Sequence, residues 1–283
     1  MADFTAKDVQ RLRPVTGAGM MDAKRALTEA DGDFDAAKKR LQEQGLANMA
    51  KRDDRENTEG AIALATSGTA AALVWLKSET DFVAKSPEFV AAAQQIAEAA
   101  HGAKPADTEA LKSVQLGDTT VGEAVEALAV KIGEKIELGR VAVFDGPVVT
   151  YLHRRAADLP PTVGVLVEDT GDDDPAARGA AMQVAAMRPT YVSRDEVPED
   201  VVAKEREIAV EQAKATGKPQ QIAEKIAEGK MRVFFEEKVL LDQKFVKDDS
   251  RTIQQLLDEV STKVGEKVAV RRFVRYRLGE DAG

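Results

Sequence analysis

A gapless internal repeat constrains this chain more than any other feature. Residues 120–136 and 252–268 align at one constant offset, with Thr120/Thr252, Lys131/Lys263, Gly133/Gly265, Glu134/Glu266 and Lys135/Lys267 identical. Apolar positions also correspond: Val121/Ile253, Val125/Leu257, Leu128/Val260 and Ile136/Val268. Within each copy the apolar residues recur at helical spacing up to the glycine, and β-rich residues follow it. Each copy therefore reads as an amphipathic helix, a glycine turn and a strand, closed by residues 140–144 and 268–276. Such a unit must bury its helix face on a sheet, so the middle of the chain is expected to be a duplicated α+β subdomain. Chance similarity is the competing reading, and the length of the gapless run weighs against it.

The flanking segments complete an α+β fold. The first fifty residues read as a three-helix bundle. Thr5 caps a helix carrying Phe4, Val9 and Leu12, and a turn follows at Thr16-Gly17-Ala18-Gly19. Met20, Met21, Ala23, Ala26 and Leu27 make a second helix ended by Gly32; Asp33 caps a third, with Phe34, Ala37 and Leu41, stopped by Gly45. Residues 51–59 carry charge without apolar period and read as a solvated linker. Strands are expected at 61–64 and 71–76 around Ser67-Gly68, and Ser86-Pro87 opens a helix through Phe89, Val90, Ile96 and Ala100. Further strands are expected at 148–153 and 163–168, and a loop at 171–175 leads into a helix at 176–187. Residues 201–240 are helical and highly charged, broken at Thr216-Gly217-Lys218-Pro219. They should form an antiparallel hairpin held by sparse contacts from Val202, Ile208, Ile222 and Ile226, projecting from the body. The division is then a helical domain at 1–50, a linker at 51–59, a first core subdomain at 60–143 and a second at 144–283. Each subdomain has an antiparallel sheet with helices, and the hairpin is inserted in the second at about 199–240.

Composition removes most kinds of chemistry. There is no Cys, so disulfides, thiol nucleophiles and Cys-ligated metals are out. The two histidines, His101 and His153, are far apart in sequence. No apolar run is long enough to span a membrane, and the first residues lack a signal peptide's basic and apolar regions. A cytoplasmic location is expected. With 40 Lys+Arg against 49 Asp+Glu the net charge is −9, which disfavours nucleic acid as the main partner and points to a protein. Arg271, Arg272, Arg275 and Arg277 read as a solvent-facing strand edge, with an RNA contact as the alternative. Gly17-x-Gly19 follows a helix, not a strand, so it is no dinucleotide loop. The Asp31–Asp35 run has Ala36 and Gln42 where a calcium loop needs Gly and Glu. The acidic residues 172–174 read as a solvated loop. His153 has no Ser or carboxylate partner in a recognisable motif, so hydrolysis is a weak reading, and no cofactor is expected.

Thr80-Asp81-Phe82-Val83 is the unusual segment. It places a Phe beside an Asp between a strand and a helix, in a chain only 5% aromatic. In one reading Phe82 folds into its own core and Asp81 caps the turn. In the other the ring protrudes as an anchor, contributing about 1.5–3 kcal/mol when buried by a partner. The carboxylate would then disturb groups around that partner's metal or phosphate site.

Two signatures in order carry a resemblance. Leu12-Arg13-x-x-Thr16-Gly17-Ala18-Gly19-Met20-Met21-Asp22-x-Lys24-x-Ala26-Leu27, followed by Thr80-Asp81-Phe82-Val83-Ala84, resembles the bacterial elongation factor Ts family. The module order resembles it too: a bundle like a ubiquitin-associated domain, a duplicated core, an inserted coiled coil. The resemblance implies a guanine-nucleotide exchange factor without covalent chemistry. It would bind elongation factor Tu in its GDP-bound and nucleotide-free forms, promote GDP release through the magnesium and phosphate site, and let GTP enter. Arg13, Met20, Met21 and Lys24 match positions that meet the partner's GTPase domain. Thr80, Asp81, Phe82 and Val83 match the segment that intrudes beside its magnesium. Ile132 and Gly133 match a contact near its phosphate-binding region, His153 one on the second subdomain, and Val246 one to its later domains. Lys247 departs from the family's Met. The chain ends soon after Leu278-Gly279-Glu280, so an extra C-terminal module of some members is not expected, and the stretch 154–161 is longer than usual. Without Cys a covalent dimer is excluded; self-association through the hairpin and the stoichiometry of the complex stay open. A plain binding adaptor, in which the 80–83 loop is dispensable, is the rival reading.

Overall fold

Thr5 starts the first helix with a reciprocal cap. Its hydroxyl accepts from the Asp8 amide, and the Asp8 carboxylate accepts from the Thr5 amide at 2.8 Å, which satisfies donors that a helix start leaves unpaired. α1 (Ala6–Thr16), α2 (Met20–Glu29) and α3 (Phe34–Met49) form the N-terminal bundle. Val9, Leu12, Ala23, Ala26, Leu27, Ala37 and Leu41 fill its core. The computed structural model describes residues 4–49, 54–67, 69–157, 159–169, 175–217 and 219–280. The turn glycine Gly68, Lys218 in the hairpin turn, and most of the loop expected at 171–175 lie outside the described residues.

The core follows in two passes. The first comprises β1 (Glu59–Thr66), β2 (Ala70–Ser78), α4 (Asp81–Ala84), α5 (Pro87–Ala103), α6 (Thr108–Lys112), β3 (Gln115–Leu116), β4 (Thr119–Thr120), α7 (Val121–Ile132) and β5 (Glu137–Asp145). The second comprises β6 (Val148–His153), β7 (Val163–Asp169), α8 (Pro175–Met187), α9 (Glu199–Lys214), α10 (Gln220–Lys238), β8 (Lys244–Phe245), β9 (Asp248–Thr252), α11 (Ile253–Val264) and β10 (Val270–Arg277). The repeat is structural as well as sequential. Each pass makes an antiparallel three-stranded sheet with its second strand in the centre, β1-β2-β5 and β6-β7-β10. Each has a small hairpin before its capped helix, β3–β4 and β8–β9. Thr120 and Thr252 cap α7 and α11 through boxes with Glu123 and Gln255. Gly133 and Gly265 end those helices at φ of 82° and 76°, a left-handed backbone that glycine adopts without a Cβ clash.

Four layers result. Ala72, Val74 and Leu76 of the first sheet face Phe89 and Ile96 of α5 and Leu128 of α7. Val165 and Val167 of the second face Ala177 and Val184 of α8 and Leu257 of α11. The remaining faces stack on each other through Ile62, Leu73, Trp75 and Phe144 on one side, and Leu166, Tyr276 and Leu278 on the other. A Cβ added at Gly164 of β7 would lie 2.6 Å from Ile62 Cγ2 and 2.7 Å from Leu73 Cδ1, so the approach of the two sheets requires glycine there. With both faces covered, β7 reads as a continuous apolar run.

Three local expectations are corrected. Gly45 does not stop the third helix, which continues to Met49. A Cβ at Gly45 would sit 2.1 Å from Val130 Cγ1 of α7; the residue is small because another helix lies against it. In the stretch read as a solvated linker, Asn57 is buried and donates to the Glu137 carboxylate at 2.7 Å, and Glu59 already belongs to β1. In the α9–α10 hairpin the seam is made by Ala209, Ala213, Ala223, Ala227 and Met231, with Val202 and Ile226 packed on it. Ile208 and Ile222 are exposed, because each is one residue, about 100° of helix, off the alanine stripe. Among the described residues no helix is long and apolar enough to cross a membrane.

Glycine-to-alanine in a helix interior normally stabilises by about 1 kcal/mol. At Gly45 the sign should reverse, because the methyl overpacks Val130 at a cost of about 1–3 kcal/mol. Gly45→Ala should lower the urea midpoint, and the same change in a Val130→Ala chain should raise it. A second prediction concerns Tyr276, which is 3% exposed with the Arg140 guanidinium 4.4 Å from its ring centroid. Burial pushes its hydroxyl up to about 12 from 10.0. The unfolded chain therefore loses this proton first, and stability is full below pH 10 and falls as pH rises through about 12. Urea unfolding at pH 9 and pH 11 should show a steeper loss for the wild type than for Tyr276→Phe.

Candidate partner-binding site

The 80–83 segment is anchored at its base and bare at its tip. The Thr80 hydroxyl donates to Glu134 at 2.6 Å and the Thr80 amide to the other oxygen of the same carboxylate at 3.1 Å. The Thr80 hydroxyl also accepts from the Val83 amide at 3.3 Å as the cap of α4. Beside it, Glu79 accepts from the Lys135 amide at 2.7 Å, and the Ser78 hydroxyl donates to the Thr80 carbonyl at 3.1 Å. Ala84 is buried and Val83 packs against the first core. Phe82 takes no part in that core: its ring is 74% exposed. The reading in which Phe82 folds inward fails because Val83 and Ala84 already fill that place. Lys85 accompanies the tip, with its ammonium 3.2 Å from the Asp81 carboxylate and 4.4 Å from the Phe82 ring centroid. Exposed pairs of this kind hold weakly, so a partner can displace Lys85.

Helix α7 joins this segment to the turn between α1 and α2. Its C-terminal residues Ile132 and Gly133 lead directly into Glu134 and Lys135, the groups that hold Thr80 and Glu79. The turn between α1 and α2 rests on the same end. A Cβ at Gly17 would be 2.1 Å from the Lys131 carbonyl oxygen, while Lys131 reaches across to pair with Glu88. The Arg13 carbonyl accepts from Gly17 at 2.8 Å to close α1, and Met20 and Met21, the latter 74% exposed, begin α2 with Lys24 exposed one turn on. Three segments far apart in sequence thus meet at one helix end. Met20 and Met21 leave an adaptable apolar surface at the start of α2.

The other expected residues lie elsewhere. His153 ends β6, exposed, with its carbonyl accepting from Thr162 at 2.9 Å. Val246 is exposed at the β8–β9 turn, its amide donating to the Gln183 side chain at 2.9 Å. Neither takes part in the hydrogen bonds that anchor the 80–83 segment through Glu134 and Lys135. Glu134 and Glu79 were missed in the sequence reading, although the Gly-Glu-Lys identity of the two copies marks Glu134. The arginines of β10 divide: Arg271 and Arg272 are exposed and pair with Glu168, but Arg275 is partly buried, its side chain only 10% exposed. That corrects the expectation of a uniformly solvent-facing edge. No group of three or more metal-capable His, Asp or Glu side chains occurs among the described residues.

Known proteins resemble this chain over almost its whole length. The sequence pattern of the family described as "Elongation factor TS" matches residues 79–280. A curated Elongation factor Ts from a Nocardioides species is 56% identical over 280 residues, covering 99% of this chain and 100% of that protein. Proteins of the same name from Mycobacterium avium and Mycobacterium tuberculosis are 54% and 53% identical, again over 99% of this chain and 100% of theirs.

The Glu134 anchor can be tested directly. Glu134→Ala should raise amide exchange at Thr80 and Val83 about tenfold, the loss of roughly 1.4 kcal/mol, with the far-UV dichroism unchanged. Unaltered exchange would mean that the segment is held by something else.

Proposed function

The chain belongs to the elongation factor Ts family, and from that premise we propose that it is the guanine-nucleotide exchange factor for elongation factor Tu, acting in translation elongation in the cytoplasm. It binds the GDP form, promotes GDP release, and is displaced as GTP enters. The observation that carries this reading is the bare Phe82 ring beside Asp81 on a segment tied at its base.

The physics is a linkage. A GTPase holds its nucleotide largely through magnesium and phosphate contacts. A second protein can loosen that grip only by binding the emptied site more tightly than the filled one. The nucleotide then weakens the factor by the same coupling free energy. Phe82 acts as a wedge, and Asp81 disturbs the magnesium shell. Arg13, Met20, Met21 and Lys24 grip the GTPase domain, Ile132 and Gly133 approach its phosphate-binding region, and His153 and Val246 hold its remaining domains. Val246 is supported by its exposure; its neighbour Lys247, also exposed, brings a charge where the family's Met would not. The bundle at 1–50, joined by 51–59, and the subdomains at 60–143 and 144–283 divide these tasks. The exposed Ile208, Ile222 and Val233 on the hairpin supply a surface for self-association.

A seated Phe contributes about 1.5–3 kcal/mol, or one to two decades in rate at 1.4 kcal/mol each. Phe82→Ala should therefore slow release of fluorescent GDP from elongation factor Tu by about 10- to 100-fold with an unchanged melting curve. A mutant as active as the wild type would leave the adaptor reading, in which this segment is dispensable.

A further inference from the structure

A cationic cleft of about 350 Å³ opens at the second sheet, lined by none of residues 80–83. Arg275 and Arg277 reach it from β10, Arg188 from the end of α8, and Arg155 and His153 from the end of β6 and the loop after it. Val163, Met182 and Tyr151 make part of the remaining wall apolar and aromatic, with Thr162 beside them. Arg275 is built into it: the side chain is nine-tenths buried, and its Nε donates to the Ala185 carbonyl at 3.3 Å.

A single carboxylate serves three of these guanidiniums. Glu280 pairs with Arg275, with Arg277 at 3.1 Å and with Arg188 at 3.2 Å. Each guanidinium presents five N–H donors, so two carboxylate oxygens leave most of that capacity unused. Converging forks of this kind match the oxygens of phosphoryl groups, which accept bidentately and carry more charge than a carboxylate. The cavity's size and its part-apolar wall fit a small ligand.

We infer that this cleft binds a diphosphate group, either inorganic pyrophosphate or the diphosphate of a nucleotide, and that Glu280, which does not line the cavity but pairs with three of its arginines, competes with the ligand for those guanidiniums. Binding belongs to the chain alone and does not depend on the exchange reaction.

The test is calorimetric titration of the purified chain, without magnesium, using pyrophosphate, GDP, ADP and inorganic phosphate as separate probes. Pyrophosphate should bind saturably with a Kd below about 1 mM. Glu280→Gln removes the competing charge at constant shape and should tighten that binding about tenfold, while Arg277→Glu should weaken it at least tenfold. Arg271→Glu, an exposed change on the same strand outside the cleft, should leave it unchanged. A nucleotide that binds tighter than pyrophosphate identifies the nucleotide as the ligand; equal affinities identify the free anion. The inference is overturned by no saturable binding, by Glu280→Gln without effect, or by Arg271→Glu weakening as much as Arg277→Glu. Should Arg277→Glu fail to fold, the isosteric Glu280→Gln carries the test by itself.

Discussion

The stacking of two small sheets through Gly164 is the constraint from which the rest of this molecule follows. Each three-stranded sheet has apolar residues on both faces and spends one face on its own helices. The second face of each must be covered by the other sheet. The contact is close because Ile62 and Leu73 occupy the space where a Gly164 side chain would be. It is mostly aliphatic and aromatic, with Trp75 and Tyr276 as its large members. Lys77 lies over the Trp75 ring at 4.9 Å and Arg140 over the Tyr276 ring at 4.4 Å. Once the sheets are back to back, α5 and α7 are outermost on one side and α8 and α11 on the other, and these outer helices carry the attachments.

The two copies diverge where those attachments differ. α7 receives the N-terminal bundle, and Gly17 and Gly45 remove side chains so that α1 and α3 can come close. α11 is its counterpart in the second copy. There Ser261 and Thr262 stand where α7 has Ala129 and Val130, and the groove beside it, lined also by Leu257 and Gly265, is open. A surface that no bundle covers can carry hydroxyls at no desolvation cost. The second copy instead accommodates the α9–α10 hairpin between α8 and the β8–β9 turn. Duplication thus supplied two equivalent platforms, and single residues decide which one is covered.

Much of this was legible because it depends on local periodicity. The helix–glycine–strand repeat, the caps at Thr5, Thr120 and Thr252, and the strands of both sheets all follow from spacing within a few residues. The errors share one cause. Gly45 looks like a helix stop because glycine usually is one, and only the presence of Val130, remote in sequence, gives it another reason. Ile208 and Ile222 look like a seam because they are the bulky apolar residues, yet alanines let the two helices approach. The Phe82 ring could be weighed from sequence but not placed, since its exposure depends on Val83 and Ala84 filling the core beneath it. Glu134 was invisible as an anchor because its partner, Thr80, lies fifty-four residues away. Arg275 was misplaced because a charged residue on an edge strand is exposed unless something such as Glu280 meets it.

Rigidity at the base is what would make an exposed ring useful. A hydrophobic side chain on a loose loop must be ordered when it binds, and that ordering subtracts from the coupling it can deliver. Here the ordering is done beforehand. The Glu134 carboxylate holds both polar groups of Thr80, Lys135 holds Glu79, and Ala84 is buried, so α4 is fixed at both ends. Charge-assisted hydrogen bonds of this kind are about twice as strong as neutral ones. Glu134 and Lys135 are also continuous with Gly133, so a push on Phe82 is borne by the end of α7. The bundle rests on that same end through Gly17. A partner gripped by the bundle's methionines would therefore meet the ring with little slack between them, which a flexible tether between the two contacts could not provide.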